Sequence, residues 1–158
     1  MVDFDGKIAC TVFTGGCNFR CPFCHNAPLV VGNVKSQQID CDEVFDYLQK
    51  RKGLVDAVCV TGGEPTLQPD LCDFFAKVRD MGYATKLDTN GLRPDVLKEV
   101  LDKKLVDFVA MDVKNSPEKY ARTVGVNNVD MGKILESMRL LKESGVDYEF
   151  RTTIIKEF

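Results

Sequence analysis

Cys17, Cys21 and Cys24 stand in one short stretch with the spacing C-x3-C-x2-C. Three thiolates in a single loop can hold a metal centre, and several centres compete for that pattern. Structural zinc is tetrahedral and takes four ligands. The fourth would have to be His25, the single histidine, or one of Cys10, Cys41, Cys59 and Cys72, which are scattered along the chain. His25 adjoins Cys24, so the two side chains diverge unless the loop bends sharply. Cys21-Pro22-Phe23-Cys24-His25 also matches the C-x-x-C-H attachment pattern of c-type haem, and its C-x-x-C part matches a thioredoxin-like redox pair. Haem attachment would require export, and a redox pair would leave Cys17 without a role. The fourth option is a 4Fe–4S cluster ligated by the three cysteines with one iron left open. A cluster that only passes electrons normally takes four cysteines. An open iron is instead a coordination site, by the logic of the open position at a catalytic zinc. It suits a ligand that offers one nitrogen and one oxygen donor.

Such a loop needs a fold that holds it beside other polar groups. Strand-like and helix-like segments alternate along the chain. Lys7–Phe13, rich in β-branched and aromatic residues and followed by Gly15-Gly16, predicts a strand. Val55–Val60, Tyr83–Leu87, Val106–Met111 and Tyr148–Ile155 predict four more. Helices are predicted at Asp40–Lys52, capped by Asp40, and at Pro69–Met81, Pro94–Lys103 and Asp130–Ser144. Leu71, Phe74, Phe75 and Val78 form the apolar stripe of the second helix. Ile134, Leu135, Met138 and Leu141 form that of the fourth, which Gly145 closes. This alternation implies an α/β fold, with a parallel sheet joined by right-handed crossovers. The polar clusters take their places on that sheet. The cysteines follow the first strand, Gly62-Gly63-Glu64-Pro65-Thr66 the second, Asp88-Thr89-Asn90-Gly91 the third and Asp112-Val113-Lys114 the fourth. Parallel strands all end on one face, which is where β/α barrels and open α/β sheets carry their sites. Arg151 is a charge within the fifth apolar run, either turned into the site or exposed.

A length of 158 residues bounds the chain to one domain, residues 1–158. Hydrophobic residues at 44% and charged residues at 28% are those of an ordinary globular protein and exclude a disordered chain. A net charge of −3 from 21 basic and 24 acidic residues leaves no electrostatic footprint for nucleic acid. No apolar run approaches the length of a membrane span. Seven cysteines is an odd number, and the opening MVDFDGKIAC has acids and no long apolar run. Reduced thiols and a cytoplasmic location are therefore expected. Cys10 and Cys59 sit in apolar runs and are expected to be small core residues.

C-x3-C-x2-C followed by a Gly-Gly-Glu loop on a β/α scaffold resembles the radical S-adenosylmethionine (SAM) superfamily. TVFTGGCNFRCPFCHN at 11–26, CVTGGEPTLQPDL at 59–71, LDTNG at 87–91 and MDVK at 111–114 are similar to a narrower group. They resemble activating proteins of anaerobic ribonucleoside-triphosphate reductase, among the glycyl-radical-enzyme activases. The resemblance implies a partial (β/α) barrel of about five parallel strands with flanking helices. It also implies an oxygen-sensitive 4Fe–4S cluster and SAM as cosubstrate. Cys17, Cys21 and Cys24 would ligate three irons, and the amino and carboxylate groups of SAM would chelate the fourth. Phe23 would pack on the adenine. Gly62 and Gly63 would let the backbone approach the ligand, and Glu64, held extended by Pro65, would accept from the SAM ammonium. Asp88 and Asn90 would meet the ribose or the carboxylate, and Lys114 would neutralise the carboxylate. Arg151 would contact SAM or a protein substrate, and Asp88 and Asp112 would be placed to share a monovalent cation.

The implied activity is that of an oxidoreductase. Reductive cleavage of SAM would yield a 5′-deoxyadenosyl radical, which takes a hydrogen from a backbone glycine of a partner enzyme. Flavodoxin or ferredoxin would supply the electron. The alternatives are a radical SAM enzyme acting on a small molecule, of the modified-base-synthase kind, and a non-catalytic metal-binding module. The family's barrel continues to a sixth strand. The chain is thus expected to be an incomplete core, with Tyr148–Ile155 as an open apolar edge prone to dimerisation or aggregation.

Overall fold

The computed structural model describes residues 3–31 and 38–156. Five strands form one sheet in chain order: β1 (Ala9–Thr14), β2 (Ala57–Gly62), β3 (Ala84–Thr89), β4 (Phe108–Asp112) and β5 (Asp147–Arg151). Every pairing is parallel, so every connection is a crossover. Right-handed crossovers between successive neighbours stack their helices on one face of the sheet. Those helices are α2 (Cys41–Lys50), α3 (Leu71–Asp80), α4 (Pro94–Asp102) and α6 (Met131–Ser144). Two short helices, α1 (Ala27–Val31) and α5 (Pro117–Thr123), lie in the connections after β1 and β4. The α/β architecture with five parallel strands is as the sequence implies.

The core lies between sheet and helices. Val58, Val60, Leu87, Val109 and Met111 alternate along β2, β3 and β4, and belong to one buried cluster with Leu71, Phe75 and Val78 of α3. Leu97 and Val100 of α4 and Ile134 and Leu141 of α6 complete that cluster. Each fully buried side chain of this kind contributes about 1.5–3 kcal/mol. Asp40 caps α2 by accepting from the Asp42 N–H at 3.5 Å, and Gly145 closes α6 at φ +73°. Cys59 is buried as expected, and burial with the nearby Asp88 charge pushes its thiol up to about 12. Cys10 is half-buried against the core.

Two expectations are corrected. The last strand ends at Arg151, not Ile155. A strand needs a ladder partner, and β4 ends at Asp112, beside Arg151 in the register. Leu135 is exposed rather than inward, and Ser137 occupies the buried stripe of α6, donating from Oγ to the Gly91 carbonyl at 2.7 Å. Among the described residues no helix is long and apolar enough to cross a membrane.

Candidate active site

The carboxyl ends of the strands surround a cleft of about 330 Å³. Cys17, Cys21 and Cys24 line it from the loop after β1, as free, half-buried thiols. Local hydrogen bonds shape that loop. The Gly16 N–H donates to the Leu29 carbonyl at 2.8 Å, folding the chain back onto α1, and the Cys24 N–H donates to the Cys21 carbonyl at 3.1 Å. The Phe19 N–H reaches Cys17 Sγ at 3.4 Å, as an amide does to a thiolate ligand. Burial raises the Cys17 thiol against the pull of that amide. Burial likewise raises Cys21, against the pull of the Lys114 charge.

The donor set discriminates between metals. Among the described residues no group of three His, Cys, Asp or Glu closes to the spacing that holds one metal ion. Zinc would draw its sulfurs to about 3.8 Å from one another, given Zn–S bonds of about 2.3 Å in a tetrahedron. A cluster that presents a separate iron to each thiolate tolerates a wider spread. Three free thiols on one short loop, lining the same cleft as the polar groups of the other strand ends, fit a cluster that gives each thiolate its own iron. His25 also lines the cleft but is exposed.

The Gly-Gly-Glu loop after β2 rides on the cysteine loop. A Cβ at Gly62 would lie 2.4 Å from the Thr14 nitrogen, and one at Gly63 would lie 1.8 Å from the Gly16 oxygen. The Gly63 N–H donates to Thr14 O and the Glu64 N–H to Gly16 O, both at 2.8 Å. Asn26 Nδ2 donates to the Gly62 carbonyl at 3.1 Å. Both glycines line the cleft, as expected, but their lack of a side chain is used against the protein's own backbone.

Glu64 is 1% exposed. Its Oε1 accepts from the Thr66 N–H at 3.1 Å, Thr66 Oγ1 at 2.6 Å and Thr89 Oγ1 at 2.7 Å. Its Oε2 accepts from the Asn90 N–H at 2.8 Å, which leaves it capacity for one more donor. Burial raises this carboxyl group's pKa, and the four donors work against that rise. Glu64 thus joins the loops after β2 and β3. Asn90 continues the joint, donating from Nδ2 to Asn18 Oδ1 at 2.7 Å, with Cys17 Sγ at 3.9 Å.

A row of charges crosses the ends of β3, β4 and β5. Lys114 Nζ meets Asp112 Oδ2 at 2.7 Å. Arg151 meets Asp112 Oδ1 through Nε at 3.1 Å and Asp88 Oδ2 through Nη1 at 3.2 Å. Lys86 Nζ stands 3.4 Å from Asp88 Oδ1, a buried oxygen with no hydrogen-bond partner among the described residues. Arg151 therefore turns into the cleft. It also corrects the expectation of a monovalent cation shared by Asp88 and Asp112, because its guanidinium stands between the two carboxylates. Partial burial lowers the Arg151 pKa less than Asp88 and Asp112 raise it. Among the described residues Lys114 and Arg151 are the two cations that line the cleft, and they offer charge-assisted contacts to an anionic group of a ligand.

The structure brings all twelve expected site residues to this one cleft, Phe23 included. Sequence reasoning missed Asn18 and Asn26, which are ordinary polar residues until tertiary partners define them, and it placed Thr66 and Thr89 in the strand-end clusters without foreseeing that both donate to Glu64. It also missed Lys86, although a lysine within an apolar strand is the same signal that drew attention to Arg151. Helix α5 was missed too. Its Tyr120 is buried, accepts from the Lys114 N–H at 3.3 Å and donates to the Asp112 carbonyl at 3.4 Å.

The model of the Radical SAM superfamily matches residues 11–157. The chain belongs to the radical SAM superfamily. Among similar proteins is a candidate glycyl-radical enzyme activating enzyme of Methanocaldococcus jannaschii, 35% identical over 98% of this chain and 64% of its own length. The pyruvate formate-lyase-activating enzyme of Listeria monocytogenes is 34% identical over 74% of this chain and 51% of its own. This radical SAM chain thus spans between half and two thirds of those relatives. Among solved structures, Streptococcus suis SuiB bound to its precursor peptide SuiA superposes with a TM-score of 0.69. That match has 15% identity and covers 94% of this chain and 33% of SuiB, a likeness of fold alone.

Proposed function

We propose that residues 1–158 act as a radical SAM core that generates a glycyl radical on a partner enzyme. The observation that carries this reading is the meeting of Cys17, Cys21 and Cys24 with the charged strand ends in one cleft. The names of the two relatives support the activase class. The three thiols would hold a 4Fe–4S cluster and leave one iron for the amino and carboxylate groups of SAM. When bound, cluster and SAM together supply a one-electron cleavage of the sulfonium and a 5′-deoxyadenosyl radical that abstracts a strong C–H hydrogen.

The chain's own residues prepare that chemistry. Lys114 and Arg151 present cations to a carboxylate, and Asp88 and Asp112 hold those cations in place. A charge-assisted contact of this kind is worth about 1.5–3 kcal/mol. Gly62, Gly63, Glu64 and Asn90 fix the cysteine loop so that the ligands do not reorganise on loading. Phe19, Phe23 and Val30 give the cleft an apolar wall that excludes water from a reactive radical. The partner we favour is anaerobic ribonucleoside-triphosphate reductase, with flavodoxin or ferredoxin as electron donor in a reducing cytoplasm.

Anaerobic reconstitution followed by iron and sulfide analysis tests the metal. About four irons per chain are expected for a 4Fe–4S cluster, and Cys21→Ala should lose them. A variant that keeps its cluster, or a zinc-loaded protein with full activity, would overturn the reading. SAM cleavage with dithionite, then glycyl-radical EPR with the reductase and with pyruvate formate-lyase, tests the partner. SAM cleavage without a glycyl radical on either protein would move the function to a small-molecule substrate.

A further inference from the structure

The stretch between the first two cysteines is held by a part of the chain far away in sequence. The Arg20 N–H donates to the Val124 carbonyl at 2.8 Å. Gly125, at φ +68°, lies so close that a Cβ there would sit 2.2 Å from the Arg20 oxygen and 2.8 Å from the Arg20 carbonyl carbon. Phe19 is buried with its ring edge-on to Tyr120 of α5, the centroids 6.3 Å apart at 61°. Tyr120 in turn bridges the backbone of Asp112 and Lys114 through its hydroxyl. Thr123 is buried as well, donating to the Lys119 carbonyl at 3.0 Å and accepting from Asn115 Nδ2 at 2.9 Å, which secures α5 to the loop after β4.

We propose that α5 and the glycine beyond it are a positioning clasp for the metal loop. Gly125 lets its turn lie against Arg20, and Tyr120 backs Phe19. The spacer between Cys17 and Cys21 is thereby held at a set place relative to the Asp112–Lys114 end of β4. The inference rests on the cluster-binding reading of this cleft and adds to it what fixes the reach of the first two ligands. The choice of residue follows from sterics. Only glycine combines a left-handed backbone with room for another carbonyl at 2.2 Å. Gly145 is the natural comparison, since it has φ +73° and no atom within 4 Å of the place a Cβ would take. Alanine at either glycine strains the backbone, but only at Gly125 does it also push on the cysteine loop.

The test compares Gly125→Ala and Gly145→Ala with the wild type. In the metal-free protein, hydrogen exchange at the Arg20 amide should quicken in Gly125→Ala and stay unchanged in Gly145→Ala. After anaerobic reconstitution, iron release to a chelator should be about tenfold faster in Gly125→Ala, equivalent to about 1.4 kcal/mol, and nearly unchanged in Gly145→Ala. If Gly125→Ala does not fold, Phe19→Leu carries the same test, because it removes the ring that Tyr120 backs and leaves the turn alone. Equal iron release in the wild type and in Gly125→Ala, or in Phe19→Leu where that variant is used, would overturn the clasp while leaving the cluster reading intact. A wild type that takes up no iron would overturn the cluster reading and the clasp's purpose together.

Discussion

Glu64 and Lys114 both face the cleft, yet their surroundings assign them different work. Among the described residues Lys114 has a single ion-pair partner, Asp112, which Arg151 also holds. Lys114→Ala therefore leaves no carboxylate without a cation. It should weaken SAM binding roughly tenfold to hundredfold, the worth of one charge-assisted contact, with iron content and melting temperature close to wild type. Glu64→Ala instead strips the acceptor from Thr66, Thr89 and the Asn90 amide, all buried. Each donor left without a partner costs about 1–3 kcal/mol. That variant should melt well below wild type and load less iron, because the joint that holds Asn90 beside the cysteine loop is gone. Thermal melts, iron analysis and SAM titration on both variants separate the two roles. A Glu64→Ala protein of normal stability that fails only in SAM binding would return Glu64 to direct contact with the ligand.

At the scale of elements, the amino-terminal side of the sheet shows how side chains tie a helix to the strands. Asp107, ahead of β4, accepts from the Thr85 N–H at 2.8 Å and pairs with Arg79 Nη1 at 2.8 Å. Arg79 lies in the last turn of α3, where a cation also complements the helix dipole. Partial burial acts to raise the Asp107 pKa, but Arg79 and Thr85 outweigh it and hold the carboxyl below its ordinary value. A depressed folded pKa means stability that is present above the unfolded value, about 3.9, and is lost as pH falls through the lower folded one. Asp107→Asn should thus be less stable than wild type at neutral pH, and the two denaturation midpoints should converge below about pH 4. A gap that persists undiminished in acid would mean that the ion pair contributes nothing. Elements of this size are readable from the sequence wherever the signal is local. The four long helices and the sheet follow from periodicity, and the cysteine spacing and strand-end clusters need no tertiary information. Helix α5 is not readable in that way, because seven residues offer too little periodicity and its meaning lies in Phe19 and Arg20, remote in sequence. The exchange of Leu135 for Ser137 is hidden for the same reason. A buried serine is stable there only because the Gly91 carbonyl arrives to accept from it.

For the molecule as a whole, the sheet has two open edges among the described residues, β1 and β5, because β2, β3 and β4 are paired on both sides. The apolar run to Ile155 made β5 the expected site of association. The strand that forms is shorter, and Asp147, Glu149 and Arg151 place a charge at every second position. Charges on an edge oppose pairing with another chain. Strand β1 has no such protection, for its sequence is Ala-Cys-Thr-Val-Phe-Thr. Phe13 is 54% exposed and the neighbouring Ile8 49%. An adjoining hollow of about 560 Å³, lined in part by Val12, Val44 and Tyr47, adds apolar surface along the same edge. Self-association should therefore run through β1. Light scattering over a range of concentrations should show the apparent mass rising for the wild type and for Tyr148→Lys on β5. Phe13→Lys, which sets a charge on the unprotected edge without emptying the core, should keep the mass at that of a single chain. If Tyr148→Lys suppressed association and Phe13→Lys did not, β5 would be the sticky edge despite its charges, and exposed Ile154 beyond it would be the residue to change next.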